Sequence, residues 1–157
     1  MYRAIRVTTN DYRDYRKANS QIVYSICDKK DYLRGYSFEL SVSRQAIELS
    51  MRTRTKFIDA VQENGREMYF FYREEEMIGF FELFYHKGKC DIVEFFVFDR
   101  YQGNGRLMWD AALEKIKERN ASRIELWSPY AGAQKCLKKM GFLPVKINGV
   151  ECYRKKL

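Results

Sequence analysis

The sequence predicts an α/β fold, in which one domain is built on a mixed sheet of about seven strands with helices on both faces. Three observations predict it. Residues 91–98 read as a buried strand, followed by the turn Gly103-Asn104-Gly105 and an amphipathic helix. The runs Phe80-Phe81 and Phe95-Phe96 place aromatic rings on both faces of their strands, because adjacent strand residues point opposite ways. The stretch from Phe98 through the helix to Arg123 is long enough for a right-handed crossover to a parallel strand, whereas the strands before it are joined by short turns.

Taken in order, residues 2–7 alternate as a short strand. Thr8 and Asp11 have the spacing of a capping box, which predicts a helix from near Thr9 carrying Tyr15, Ala18, Ile22 and Ile26 inward. Residues 27–36 are polar and aromatic and read as a loop or broken helix. Between 36 and 54 only Ala46, Ile47 and Leu49 support a helix. A clearer helix carries Phe57, Ile58 and Val61 and stops at Asn64-Gly65. Strands follow at 67–73 and 77–85, separated by Glu74, Glu75 and Glu76, and a turn at 86–89 leads into 91–98.

In the helix from Gly105, residues Gly105, Met108, Trp109, Ala112, Leu113 and Ile116 share one side, and Asp110, Glu114, Lys117 and Glu118 the other. Residues 124–128 form the parallel strand. Ser128 and Pro129 suit a helix start, and Ala133, Cys136, Leu137 and Met140 form its apolar face. Lys138 and Lys139 suit the negative end of its dipole, and Gly141 its left-handed cap. Asn148-Gly149 joins the strands 142–147 and 150–155 as a two-residue hairpin.

At 157 residues, 46% apolar and 32% charged, the composition fits one soluble globular domain. No run is long enough to span a membrane, and MYRAIRV lacks the apolar stretch of a signal peptide, so the cytoplasm is expected. Cys27, Cys90, Cys136 and Cys152 are dispersed and His86 is the one histidine, which argues against a metal site and fits a reducing compartment. The net charge of +8 attracts anions, among them coenzyme A, RNA and acidic proteins. The cations are scattered, not massed in a block, and the aromatic runs predict a sheet covered on both sides, which disfavours nucleic acid as the partner. Homodimerisation through exposed apolar surface stays open.

A strand that enters a helix through Gly-x-Gly leaves backbone N–H groups free to meet an anion. Met108 stands where the dinucleotide fingerprint has its third glycine, and the phosphate loop of nucleotide hydrolases is absent. The residues alone leave an anion site and a plain tight turn both open.

The same segment resembles the acyl-CoA-binding core of the GNAT superfamily, the GCN5-related N-acetyltransferases. Their motif [QR]-x-x-G-x-[GA] is matched by Arg100-Tyr101-Gln102-Gly103-Asn104-Gly105. The later strand, the short helix ending in Gly141-Phe142 and the final strand VECYRKKL match in order and spacing. The likeness covers residues 78–157. It implies a single GNAT-like domain, with 1–66 supplying acceptor-side helices and 67–157 the cofactor core. It also implies transfer of an acetyl group from acetyl-CoA, the cosubstrate, to an amine-bearing acceptor.

The resemblance assigns the pyrophosphate to the backbone around Gln102, Gly103, Asn104, Gly105 and Arg106, with Arg100 and Arg106 as charge partners. It places the pantetheine arm along Phe96 and Val97, where strand 91–98 diverges from strand 124–128, with the Val97 N–H facing the thioester oxygen. Glu94, the sole acid within the apolar run, is the candidate base, because burial raises a carboxyl toward neutral pH. A solvent-facing residue or an ion-pair partner is the alternative. Asp91, three residues earlier, is expected on the other face, and Glu82 on the neighbouring strand is either a companion to Glu94 or, as expected, the partner of a basic group. Leu137 stands where many members carry the tyrosine that protonates the leaving thiolate. Tyr130 is the substitute acid, with a half-buried surface tyrosine as its plainer reading. Tyr32, Tyr36, Phe38, Glu39 and Tyr153 are the acceptor-side candidates. A non-catalytic acyl-CoA-binding or regulatory domain is the competing reading.

Overall fold

The computed structural model describes residues 1–28, 51–98, 103–127 and 134–157, and of 22–28 and 134–136 the backbone alone. Its elements are β1 (Tyr2–Arg6), α1 (Tyr12–Asp28), α2 (Arg54–Gln62), β2 (Arg66–Arg73), β3 (Glu76–His86), β4 (Lys89–Val97), α3 (Asn104–Glu118), β5 (Arg123–Trp127), α4 (Gln134–Lys139), β6 (Leu143–Ile147) and β7 (Val150–Lys156). The strands form one mixed sheet in the order β1-β2-β3-β4-β5-β7-β6. Only β4 and β5 run parallel, with α3 as their crossover.

Alternation along the aromatic strands builds two cores. Phe80 and Phe96 join Met68 and Phe70 against Tyr15, Ala18, Phe57 and Ala60 of α1 and α2. Phe81 and Leu83 face the other way, with Tyr69 and Phe71, against Met108, Trp109, Ala112 and Ile116 of α3 and Leu137 of α4. The adjacent-phenylalanine pattern thus marks a sheet buried on both faces. Gly79 sets how closely α3 approaches, since a Cβ there would lie 2.5 Å from the Met108 sulfur and 3.0 Å from the Phe96 carbonyl oxygen.

The ends of the elements follow local chemistry. The Thr8–Asp11 pair forms, the Asp11 carboxylate accepting from the Thr8 N–H at 2.7 Å and from its hydroxyl at 2.9 Å. It closes the turn ahead of α1, which begins three residues later than the capping-box reading places it, and the Asp11 carbonyl accepts from the Tyr15 N–H. Thr53 caps α2, its hydroxyl accepting from the Lys56 N–H. At the end of α4 the Phe142 N–H donates to the Leu137 carbonyl and the Gly141 N–H to the Lys138 carbonyl, with Gly141 at φ +89°. This is a Schellman cap, in which Leu137 and Phe142 supply the accompanying apolar contact. Asn148 and Gly149 both take positive φ, as their hairpin requires.

Buried carboxylates carry several partners each, Glu67 joining the sheet to the end of α3 and Glu125 joining neighbouring strands. Glu67 accepts from Arg119, just past α3, and from the Tyr69 hydroxyl, with Arg6 at 3.4 Å. Glu125 on β5 meets Lys89 at 2.7 Å, Arg123 at 2.8 Å and Arg154 at 3.1 Å. No helix among the described residues is long and apolar enough to cross a membrane.

Phe81, fully buried between β2, β4 and α3, tests the second core. Phe81→Ala should lower the unfolding free energy by about 3–5 kcal/mol, read by chemical denaturation, while Asp110→Ala on the exposed side of α3 should change it by about 0.5 kcal/mol or less.

Candidate active site

Pairing between β4 and β5 covers Lys89 with Arg123, Cys90 with Ile124 and Asp91 with Glu125, and stops there. Beyond Asp91, β4 pairs with β3 alone among the described residues, which leave its other edge open. The Phe98 N–H donates to the Ile78 carbonyl at 2.9 Å, which fixes the alternation of the ladder. Residues 94, 96 and 98 then direct their backbone groups to β3, and Phe95 and Val97 direct theirs into the splay. Of the expected pair, Val97 therefore presents its N–H to the opening. Phe96 spends its backbone on β3 and buries its ring, 4% exposed, under α1 and α2.

The glycine turn lies at the start of α3. Gly103 is its N-cap at φ +71°, ψ +9°, a conformation that favours glycine, and it offers no side-chain cap to the first-turn N–H groups. Among the described residues, a Cβ on Gly103 would meet no atom within 4 Å, and one on Gly105 would meet the Val97 side chain at 3.8 Å. Packing among the described residues leaves the outer side of this turn open. Arg106 is exposed beside it. The Asn104 side chain is fully buried and accepts from the Tyr2 hydroxyl at 3.4 Å. Arg100 and Gln102 lie outside the described residues.

Glu94 reaches its place through a β-bulge. Ile92 pairs with Leu83 and Glu94 with Glu82, so Val93 is an extra residue in β4. The extra residue inverts the alternation. Asp91, expected on the opposite face from Glu94, shares its face instead, because Asp91 pairs with Phe84 and Glu94 with Glu82, two residues apart on β3. Asp91 is engaged there by His86, 2.5 Å away, and Lys89, 3.5 Å away. Glu94 has no ion-pair partner among the described residues. Burial, reinforced by the negative charge of Glu82 and opposed by Arg52, lifts its pKa to about 7. Glu82 pairs as expected. Arg52 donates to both its oxygens, at 2.6 and 2.9 Å, and Arg66 donates at 2.5 Å.

The remaining candidates divide. Leu137 is 6% exposed and belongs to the core under the α4 cap, so an apolar side chain is what that position needs here. Tyr153 pairs with Leu126 and is buried, 2% exposed, in the core beneath α3 and α4. Its ring lies on the opposite face of the sheet from Glu94. Tyr32, Tyr36, Phe38, Glu39 and Tyr130 lie outside the described residues. Two features were not read from the sequence. Arg52 sits in the stretch without periodicity, and the Val93 bulge hides inside a continuously apolar run. Among the described residues no group of three or more His, Cys, Asp or Glu side chains is placed to hold a metal.

The raised carboxyl has a cost in stability with a definite sign. Between about pH 4.5 and 7 the folded chain holds the Glu94 proton and the unfolded chain releases it, so this group's contribution falls as pH rises through that window. Glu94→Gln should therefore be more stable than the parent at pH 8, by no more than about 3 kcal/mol, and equal to it near pH 4, as read by denaturant midpoints.

Comparison with known proteins agrees with this geometry. A sequence profile described as the acetyltransferase (GNAT) family matches residues 31–142. No curated protein matches by sequence. Among solved structures, the PaiA N-acetyltransferase of Thermoplasma acidophilum, in complex with coenzyme A, superposes with a TM-score of 0.73 at 13% identity, covering 100% of this chain and 99% of that one. The ribosomal-protein-S18-alanine N-acetyltransferase of Escherichia coli superposes at 0.63 with 11% identity, covering 98% and 91%. A GNAT family acetyltransferase from Elizabethkingia anophelis with acetyl-CoA bound gives 0.50 at 18%, covering 59% and 77%. At these identities the structures speak for the fold, and the profile speaks for the family. The chain belongs to the GNAT acetyltransferase family.

Proposed function

We propose that this chain transfers the acetyl group of acetyl-CoA to a primary amine, with Glu94 as the base. The observation that carries the reading is the placement of Glu94, without an ion-pair partner among the described residues and lifted to about 7, on the strand whose edge opens into the splay. A base is most effective when its pKa lies near the working pH. The cosubstrate has a fitting seat, because the uncapped turn at Gly103 leaves first-turn N–H groups and open space for a pyrophosphate. The Phe95 and Val97 backbone groups suit the amides of an extended arm, which would add to β4 as a strand does. The Val97 N–H would meet the thioester oxygen as negative charge develops on it.

In this scheme Glu94 takes a proton from the attacking amine. The nitrogen bonds to the acetyl carbon, the carbon–sulfur bond breaks, and the thiolate leaves with its electron pair and is protonated by water or by Tyr130. The acceptor enters from the face that carries Glu94, α1 and α2, and Tyr32, Tyr36, Phe38 and Glu39 are proposed for its wall. The buried free thiols Cys90 and Cys152 suit a reducing compartment such as the cytoplasm.

One observation favours a second reading. Leu137 cannot donate a proton, which fits an acyl-CoA-binding domain without turnover. Coenzyme A release, measured across a panel of polyamines, aminoglycosides, peptide N-termini and lysine peptides, separates the two. The transferase reading expects turnover with at least one amine, reduced about 100- to 10,000-fold at neutral pH in Glu94→Gln. Full activity in Glu94→Gln would contradict the base assignment, and binding without turnover across the whole panel would favour the second reading.

A further inference from the structure

Glu82 and Glu94 are direct cross-strand partners on one face of the sheet. Side chains so paired stand about 5 Å apart at Cβ, and like charges there disfavour each other. The pairing exists because of the extra residue Val93. Continuing the register of Leu83 with Ile92 without a bulge would bring Val93 opposite Glu82 and turn Glu94 to the face of α3 and α4.

Glu82 is the more buried of the two, at 2% exposure. Its carboxylate is held from two elements, by Arg52 just ahead of α2 and by Arg66 at the start of β2. Other charged and titratable groups lie on this face. Asp91, the preceding β4 residue on it, is engaged by His86 and Lys89. Tyr15 of α1 lies close to Arg52 and Glu82, and burial raises its pKa. Glu63 is held by Arg66 at 2.6 Å. Three N–H bonds to one buried carboxylate are more than the strand pairing requires, and they fix a negative charge beside the proposed base.

We propose that Glu82, bound by Arg52 and Arg66, is a positioning residue that sets the pH at which Glu94 changes charge. The proposal rests on the reading of Glu94 as the base. The triad fixes two opposing charges next to that residue. Glu82 disfavours the Glu94 anion, and Arg52 favours it. Removing one or the other should move the Glu94 titration in opposite directions, which loss of packing cannot do.

The test is a carbon-13 NMR titration of the glutamate carboxyls in the full chain, with the Glu94 resonance identified by its absence in Glu94→Gln. It needs no acceptor. The parent midpoint is expected at about 7. Glu82→Gln should lower it by about one unit or more, and Arg52→Gln should raise it. An unchanged midpoint in both variants, or shifts in the same direction, overturns the proposal. If Glu82→Gln does not fold, Arg52→Gln decides, since a rise supports the proposal and a fall or no change sinks it. Failure of the two readings is distinguishable. Unmoved midpoints with acetyl transfer abolished in Glu94→Gln remove the role of Glu82 and leave the base intact. Opposed shifts with transfer intact in Glu94→Gln do the reverse.

Discussion

The site depends on where backbone pairing between β4 and β5 stops. Lys89, Cys90 and Asp91 hold β5, and Glu125 with its three cations closes that end of the seam. Past Asp91 the two strands separate while β3 still holds β4 along its other edge. In a buried sheet, unpaired backbone groups are costly, so such an edge calls for a partner. On the proposed reading that partner is an extended chain with amides of its own, the pantetheine arm. Gly105, at the start of α3, lies beside the Val97 side chain near the end of the same strand, so the proposed reading brings the two ends of one cofactor to neighbouring backbone.

On the other face the problem is electrostatic. A partly buried carboxyl must give up its proton near neutral pH yet stay soluble in a sheet of phenylalanines. The bulge at Val93 brings Glu94 to the face of α1 and α2, where Glu82 and two arginines already carry charge. Burial alone would favour the protonated form. Arg52 opposes the combined effect of burial and Glu82, so Glu94 remains able to ionise. The same raised carboxyl makes Glu94 a residue that weakens the fold above neutral pH, as is common where a site uses a desolvated acid.

Much of this was legible in the residues. The adjacent phenylalanines announced a sheet buried on both faces, Asn148-Gly149 its hairpin, and Gly141 the end of the last helix. The turn at Gly103 was legible because glycine alone enters its conformation easily. What failed to show did so for physical reasons. A bulge is set by register, and 91–98 is apolar on both faces, so alternation within it carries no phase. Asp91 was therefore sent to the wrong face. Tertiary packing turns the Asn104 and Tyr153 side chains inward, which their residue types do not foretell. Arg52 could not be found at all, since a long-range ion pair leaves no local pattern around either partner. The wall proposed for the acceptor falls on residues 29–50, where periodicity is weakest.

The central claim is that the uncapped turn and the open β4 edge bind an acyl-CoA. Calorimetric titration with acetyl-CoA tests it most directly, using the parent chain, Gly103→Asn and Gly103→Glu. Asparagine tolerates the left-handed conformation and brings no charge, whereas glutamate places a carboxylate where the pyrophosphate is expected. The account predicts saturable binding by the parent, retained in the asparagine variant and lost in the glutamate variant while circular dichroism shows all three folded. A folded parent that binds neither acetyl-CoA nor longer acyl-CoAs, or a glutamate variant that binds as the parent does, would contradict it.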